Sequence, residues 1–342
     1  MRKRRSKVPT DVLGRPLGNL RLSVTDRCNL RCAYCMPEEQ YRWLPNPEIL
    51  SFEELSSLVD RFMALGVRRV RLTGGEPLMR RELPSLVRQL ARKPLEDLAL
   101  TTNGVLLADH ATALREAGLK RLTVSLDTLR ADRFTKLTRR DQLSKVLAGI
   151  EAATRAGFTG TKIDTVVMRG VNDDELIDLL NFGRAVNAEV RFIEYMDVGG
   201  ATKWNKDTVV PAREVLSRLG PATVVGERGS APAERFMRED GQIFGVIAST
   251  TQPFCGSCDR ARLTADGRWF TCLYATNGID LKKELRSGAS TEQLEALIAS
   301  TWSGRRDRGA EERLRLRGAR GPLASKARLE QEPHLEMHTR GG

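Results

Sequence analysis

The sequence predicts an α/β protein: an incomplete (βα)6 TIM-like barrel with a C-terminal extension closing the barrel mouth. Three observations carry that expectation. Strand-like and helix-like segments alternate six times between residues 19 and 196, the pattern of parallel strands joined by helical crossovers. Polar and glycine residues collect just after five of the strand segments, where βα barrels build their sites. Beyond residue ~200 the alternation fades and cysteine and arginine return in new spacings.

Taken in order, residues 1–7 hold Arg2, Lys3, Arg4, Arg5 and Lys7 with no apolar run behind them. They read as a solvated basic arm, with a nucleic-acid or nuclear-targeting tag as the other reading, and not as a secretory signal. Residues 1–12 are assigned to this arm. The stretch 19–25 alternates apolar and polar side chains as a strand does. Residues 51–65 open with Ser51 and Glu54, a capping-box start for a helix. Strand patterns follow at 67–73, 97–102, 121–127, 161–168 and 189–196. The helical patterns between them cover 80–92, 108–117, 141–156 and 173–186. These units make up an expected barrel over residues 13–220. The loop at 226–234 belongs to a C-terminal region over 221–302, with helices expected near 281–285 and 292–300. Residues 303–342 are Arg-rich, too polar to pack a core and expected to be partly disordered, and they end in Gly-Gly.

The site chemistry starts with Cys28-Asn-Leu-Arg-Cys32-Ala-Tyr-Cys35, a C-x3-C-x2-C spacing. Three thiolates this close suit three corners of an iron–sulfur cube, whose fourth iron is left open for a reactant. A structural zinc knot is the alternative, but it wants a second cysteine pair or histidines. The histidines are His110, His334 and His338, none near this stretch in sequence. Gly74-Gly75-Glu76-Pro77 follows the second strand. Its glycines let a ligand approach the backbone and its carboxylate can pair with an ammonium, although taken alone an ordinary tight turn that caps a helix is the favoured reading. A second triplet, Cys255, Cys258 and Cys272, again lacks a fourth partner nearby and again suits a cube with an open iron. Beside it, Arg260 and Arg262 stand two apart, hence on one face of an extended segment, where guanidinium pairs grip phosphate or carboxylate.

Composition narrows the partners. The 342 residues carry 56 Lys+Arg against 44 Asp+Glu, a net charge of +12. That surplus favours a polyanion: nucleic acid, an anionic membrane or a multiply phosphorylated small molecule. Aromatics are 5%, which counts against a base-stacking platform and makes nucleic acid the weaker choice. No apolar run approaches the ~18 residues of a membrane span. Six cysteines without a signal segment suggest reduced thiols in a cytoplasmic protein.

These stretches together resemble the radical S-adenosylmethionine superfamily and, within it, the GTP 3′,8-cyclase family. The matching segments are Arg21-Leu-Ser-Val-Thr-Asp-Arg-Cys28, Arg71-Leu-Thr-Gly-Gly-Glu-Pro-Leu-Met79, Arg191-Phe-Ile-Glu-Tyr-Met-Asp-Val198 and Cys255 to Cys272. The resemblance implies two [4Fe-4S] clusters and S-adenosylmethionine as cofactors. Cys28, Cys32 and Cys35 would hold one cluster, and Cys255, Cys258 and Cys272 the other. Tyr34, Gly75, Ser125 and Met196 would bind S-adenosylmethionine, with Glu76 close to its amino group. Arg21, Arg71, Thr101, Lys162, Arg260, Ala261 and Arg262 would bind GTP. Arg260, Arg262, Gly341 and Gly342 would assist catalysis. Arg340 stands where the family usually has an apolar residue, which puts docking of the tail in question. Asp259, often neutral in relatives, is expected to weaken triphosphate binding slightly unless a neighbouring arginine pairs with it.

Implied partners are GTP, a low-potential flavodoxin- or ferredoxin-like electron donor and a downstream cyclic pyranopterin monophosphate synthase. A homodimer is one implied assembly, with oligomeric state open on sequence. Two other readings stay open here. One is a different radical enzyme with an auxiliary cluster, such as a peptide maturase. The other is a zinc-bearing nucleic-acid-binding protein.

Overall fold

The computed structural model describes residues 8–341. The basic side chains of 1–7 and Gly342 lie outside the described residues. Residues 8–12, assigned above to the arm, do not hang free. Thr10 bridges Pro16, and Asp11 is buried against Arg15 and Arg305.

The first half follows the expected rhythm. β1 (Asn19–Ser23) leads through the cysteine loop to α1 (Phe52–Ala64), then β2 (Arg69–Thr73), α2 (Leu83–Ala91), β3 (Asp97–Thr102) and α3 (Leu107–Glu116). After β4 (Arg121–Ser125) come α4 (Ala131–Thr138), α5 (Leu143–Arg155), β5 (Lys162–Val167), α6 (Leu176–Ala185) and β6 (Glu189–Glu194). The Ser51 hydroxyl accepts from Glu54 N at 3.2 Å while Glu54 Oε2 accepts from Ser51 N at 2.7 Å, closing the capping box of α1. Such a cap stabilises a helix by about 1 kcal/mol. α2 starts three residues later than the pattern suggested. Pro84 has no N–H to bond back to residue 80, so it fits only the first turn. α4 carries no sequence signal strong enough to expect, because its buried positions are only Phe134, Leu137 and Thr138.

Strands β1 to β6 lie side by side in sequence order and are all parallel. Along each, one set of alternate side chains is apolar and packs beneath the helices, as Leu20, Leu22, Val70, Leu72, Ile163 and Phe192 do. The other set faces the concave side and is polar or charged. This period of two sorts core from site.

After α7 (Ala212–Leu219), the remaining strands are β7 (Ala222–Val224), β8 (Glu234–Arg238), β9 (Ile243–Ile247), β10 (Arg260–Leu263), β11 (Arg268–Phe270) and β12 (Ile279–Asp280). They extend the sheet from both ends. β9 pairs parallel with β6 and carries β8 and β7 antiparallel, while β10 pairs parallel with β1 and carries β11 and β12 antiparallel. Both open edges of the six-stranded sheet are thereby covered, which removes unpaired backbone groups.

The last hundred residues hold α8 (Leu281–Arg286), α9 (Thr291–Ser303), α10 (Gly309–Arg315), α11 (Lys326–Gln331) and α12 (Met337–Arg340). The expectation of a polar, partly disordered tail is overturned. Ala324, Leu329 and Leu335 form a small apolar cluster of their own. His338, Thr339 and Arg340 are all buried. The tail is held by buried polar contacts, which hydrophobic periodicity does not register. Among the described residues no helix is long and apolar enough to cross a membrane.

Candidate active site

Glycines and a carboxylate fix the first triplet. Gly75 N donates to Thr25 O at 3.0 Å and Glu76 N to Arg27 O at 2.7 Å, so the β2 loop rests on the chain entering the cysteine loop. A Cβ on Gly75 would collide with Arg27 O. Glu76, fully buried, accepts from Leu78 N at 3.0 Å, Thr102 Oγ1 at 2.8 Å and Asn103 N at 2.7 Å. These hydrogen bonds let it brace the loops after β2 and β3. Burial lifts its pKa to about 7 against those hydrogen bonds.

Around the thiols, Cys28 Sγ accepts from Asn103 Nδ2 at 3.8 Å and from Leu30 N at 3.5 Å. Burial, with Glu76 adding to it, pushes the Cys28 thiol up to about 11. Burial also raises Cys32, reinforced by Cys28 and Asp127, and Cys35, reinforced by Cys28 and Glu336. A thiol so placed keeps its proton until a metal replaces it. Tyr34 donates to Asp127 Oδ2 at 2.7 Å, and burial lifts that carboxyl to about 6.

One cavity of about 850 Å³ is lined by all six cysteines, a size suited to a nucleotide-scale ligand. Tyr34, Gly75, Ser125 and Met196 line it at the carboxyl ends of the strands, together with Asn103, Asp127, Glu194 and Tyr195. The loops after β1, β2, β3, β4 and β6 therefore meet, as the sequence suggested.

Deeper in the sheet lies a tier of cations. Arg262, Arg21 and Arg71 are direct neighbours across β10, β1 and β2, and Asn19 is paired with Arg260. Like charges side by side are unfavourable. Burial, then Arg262, Arg71 and Arg260, lowers the Arg21 pKa well below its ordinary value. Burial and Arg260 bring Arg262 down to about 10. Arg71 donates to Thr101 Oγ1 at 3.1 Å and Thr123 Oγ1 at 2.9 Å. Burial, Arg191 and Arg121 lower Lys162 to about 8. Asp164 offsets part of this charge, and a bound anion would offset more.

Arg21, Arg71, Thr101, Arg260 and Arg262 all reach the cavity. Lys162 stands just outside its lining. Ala261 sends its side chain into the apolar core, because it alternates with the two arginines on β10. Only its backbone is available to a substrate. Asp164 and Arg191 also line the cavity and were missed. Asp164 is two residues beyond Lys162 and pairs in register with Arg191, so the alternation that singled out Arg260 and Arg262 could have found both. Asp259 is turned away: its carboxylate accepts from Asn19 Nδ2, and it is not paired with arginine.

At the second triplet the surroundings are cationic. Arg15 Nη1 donates to Cys255 O at 2.8 Å, Arg305 Nη1 to Cys258 O at 2.8 Å, and Arg340 Nη1 to Leu273 O at 2.8 Å. Burial works against the Cys258 thiolate, yet Arg260 and Arg305 overcome it and bring its pKa below the ordinary value. All six cysteines are free thiols. Among the described residues no three His, Cys, Asp or Glu side chains converge to hold a single metal ion. Cysteine-only donors in two triplets, each facing a cavity, fit clusters whose sulfurs bind separate irons.

The tail reaches this cavity with Arg340 in place. Arg262 Nη1 donates to Gly341 O, and Met337 and His338 join the lining. Gly341 has φ +70°, and a Cβ there would strike Thr73 Oγ1. His338 packs edge-on against Tyr41 and Trp43, with ring centroids 5.3 and 5.6 Å away.

Comparison with known proteins fits this geometry. Residues 22–183 match the radical SAM superfamily and residues 188–311 the Molybdenum Cofactor Synthesis C family. GTP 3′,8-cyclase 3 of Mycobacterium bovis is 54% identical over 341 residues, covering 97% of this chain and 90% of the relative. The chain belongs to the GTP 3′,8-cyclase family. GTP 3′,8-cyclase 1 of Mycobacterium tuberculosis is 55% identical over 339 residues, covering 96% and 94% of the two chains. Among solved structures, Streptococcus suis SuiB superposes with a TM-score of 0.58 at 16% identity, over 84% of this chain and 68% of that one. That likeness concerns the fold, a radical SAM partial barrel.

Proposed function

We propose that this protein cyclises GTP to (8S)-3′,8-cyclo-7,8-dihydroguanosine 5′-triphosphate, the first step of molybdenum cofactor biosynthesis. The observation that carries this reading is one cavity lined by both cysteine triplets, with the arginine tier on its wall. Family membership supports it. Cys28, Cys32 and Cys35 would hold one [4Fe-4S] cluster, and Cys255, Cys258 and Cys272 a second. With S-adenosylmethionine, the first cluster supplies a primary carbon radical able to take the C3′ hydrogen of GTP.

The chain's own part is to bind and orient. Tyr34, Gly75, Ser125 and Met196 hold the cofactor, with Glu76 close to its amino group while bracing their loops. Arg21, Arg71, Thr101, Lys162, Arg260 and Arg262 hold GTP, several of them on its triphosphate, where guanidinium forks suit phosphate. A radical that attacks almost any C–H bond gains selectivity only from where its substrate is fixed. Holding GTP at both ends supplies that. The C-terminal region and tail close the barrel mouth and exclude water, and Gly341 and Gly342 assist catalysis, Gly341 from beside Arg262.

The protein is cytoplasmic in this reading. It is reduced by a flavodoxin- or ferredoxin-like donor, passes product to a cyclic pyranopterin monophosphate synthase and is compatible with a homodimer. The test is anaerobic reconstitution with iron and sulfide, then dithionite, S-adenosylmethionine and GTP. Formation of 5′-deoxyadenosine with matching loss of GTP is expected. Cofactor cleavage that leaves GTP intact would overturn the substrate assignment.

A further inference from the structure

Arg340 is 1% exposed, and its guanidinium lies 4.1 Å from the centre of the Phe270 ring. Nε donates to His334 O at 2.5 Å and Nη1 to Leu273 O at 2.8 Å. Nη2 is buried without a partner, and among the described residues no carboxylate forms an ion pair with this guanidinium. An unpaired buried cation is strongly unfavourable unless an anion faces it. Arg340 does not line the substrate cavity, so a bound triphosphate is not that anion. Its carbonyl partner is the residue next to Cys272, and Cys272 is the thiol that favours its charge.

Arg15 and Arg305 make the same kind of contact with Cys255 and Cys258, and each also leaves a buried N–H unpaired. Those two are balanced by Asp11, at 2.5 and 3.5 Å. Arg15 and Arg305 thus bond the carbonyls of two cysteines of the second triplet, and Arg340 that of the residue after the third. Among the described residues, of these three only Arg340 forms no ion pair with a carboxylate, Glu332 acting on it from farther away. The first triplet has one such contact, from Arg31 to Cys28 O at 2.8 Å. Glu76, Asp127 and Glu336 act on its thiols from the carboxylate side.

We propose that Arg340 is a positioning residue for the second cluster: the last helical turn delivers a guanidinium that balances the cluster's negative charge, raises its reduction potential and makes that potential depend on tail docking. This rests on the second triplet holding an iron–sulfur cluster. Three thiolates on a four-iron core leave the assembly anionic in both oxidation states, more so after it gains one electron. No bond changes in that step, so a nearby cation acts simply by favouring the reduced form.

The experiment is an EPR-monitored redox titration of the full chain, reconstituted anaerobically, with iron content measured in parallel. Arg340→Leu should lower the potential of the second cluster by the equivalent of about a tenfold change in its reduction equilibrium, ~59 mV for one electron. The first cluster should not move, and Arg340→Lys should restore most of the shift. Resistance of the C-terminus to carboxypeptidase, measured on the same samples, reports whether the tail stays docked. An unmoved second potential in Arg340→Leu overturns the proposal. So does failure of Arg340→Lys to restore it while the tail remains protected. Iron sufficient for one cluster only in the unaltered protein would instead remove the two-cluster reading itself, and this proposal with it.

Discussion

Around Cys28, Cys32 and Cys35 the charged groups that act on the thiols are mostly carboxylates, Glu76, Asp127 and Glu336, with Arg31 opposing them; around the second triplet Glu311 acts on Cys255 and Asp307 on Cys272, while Arg260 and Arg305 act on Cys258, and Arg15 and Arg340 bond backbone carbonyls nearby. The spacings are similar and the chemistry of the donors is identical. What differs is the balance of charge, which guanidinium groups tip at Cys258 and at no thiol of the first triplet. A sulfonium bearing an ammonium group is drawn to the first surroundings, and a polyphosphate to the second and to the tier of Arg21, Arg71 and Arg262 beside it. Under the proposed function, electrostatics would help sort cofactor from substrate inside a single cavity.

The strongest way to break this comparison is to remove the thiols themselves. Cys32→Ala should abolish S-adenosylmethionine cleavage and GTP loss together. Cys272→Ala should abolish GTP loss while leaving slow uncoupled cleavage, followed as 5′-deoxyadenosine by chromatography. Equal loss in both would mean the triplets are not divided in role. Next comes the tier. Arg262→Ala should weaken GTP binding by roughly 10–100-fold, the worth of a charge-assisted contact, while uncoupled cleavage persists; isothermal titration checks the first and product assay the second.

Smaller effects sharpen the picture. Gly341→Ala forces a side chain onto a positive-φ position against Thr73, where backbone strain alone is about 1–2 kcal/mol. Turnover should fall roughly tenfold and the tail should become sensitive to carboxypeptidase. Lys162, held down to about 8 by burial, Arg191 and Arg121, is charged below that pH and neutral above it. GTP affinity should drop about fivefold between pH 7 and pH 9, the value of about 1 kcal/mol, and Lys162→Arg should flatten that dependence. At the bottom of the scale, Asp259→Asn should change GTP affinity less than about twofold, because this carboxylate binds Asn19 and does not face the cavity.

Much of this was legible in the chain. Six strand–helix units, the two triplets and the loops that gather around them follow from spacing and period-two alternation. Lys162, Asp164 and Arg191 illustrate a middle case, since the same alternation applied to β5 and β6 would have joined Asp164 and Arg191 to the site. The tail was not legible. Ala324, Leu329 and Leu335 are too few apolar residues to announce a packed segment. Arg340 docks through carbonyls and an aromatic face far away in sequence. Which edge of the sheet each C-terminal strand would join was likewise hidden, because β9 and β10 reach β6 and β1 across nonlocal pairings. The three hydrogen bonds by which Glu76 braces the loops, from Leu78, Thr102 and Asn103, were also hidden.

The central claim, that the two triplets share a cavity yet answer to ligands of opposite charge, is tested most directly by EPR of proteins with one triplet deleted. With Cys255, Cys258 and Cys272 changed to alanine, the remaining cluster signal should respond to S-adenosylmethionine and ignore GTP. With Cys28, Cys32 and Cys35 changed instead, it should respond to GTP and ignore S-adenosylmethionine. A signal that answers to the same ligand in both proteins would contradict the account.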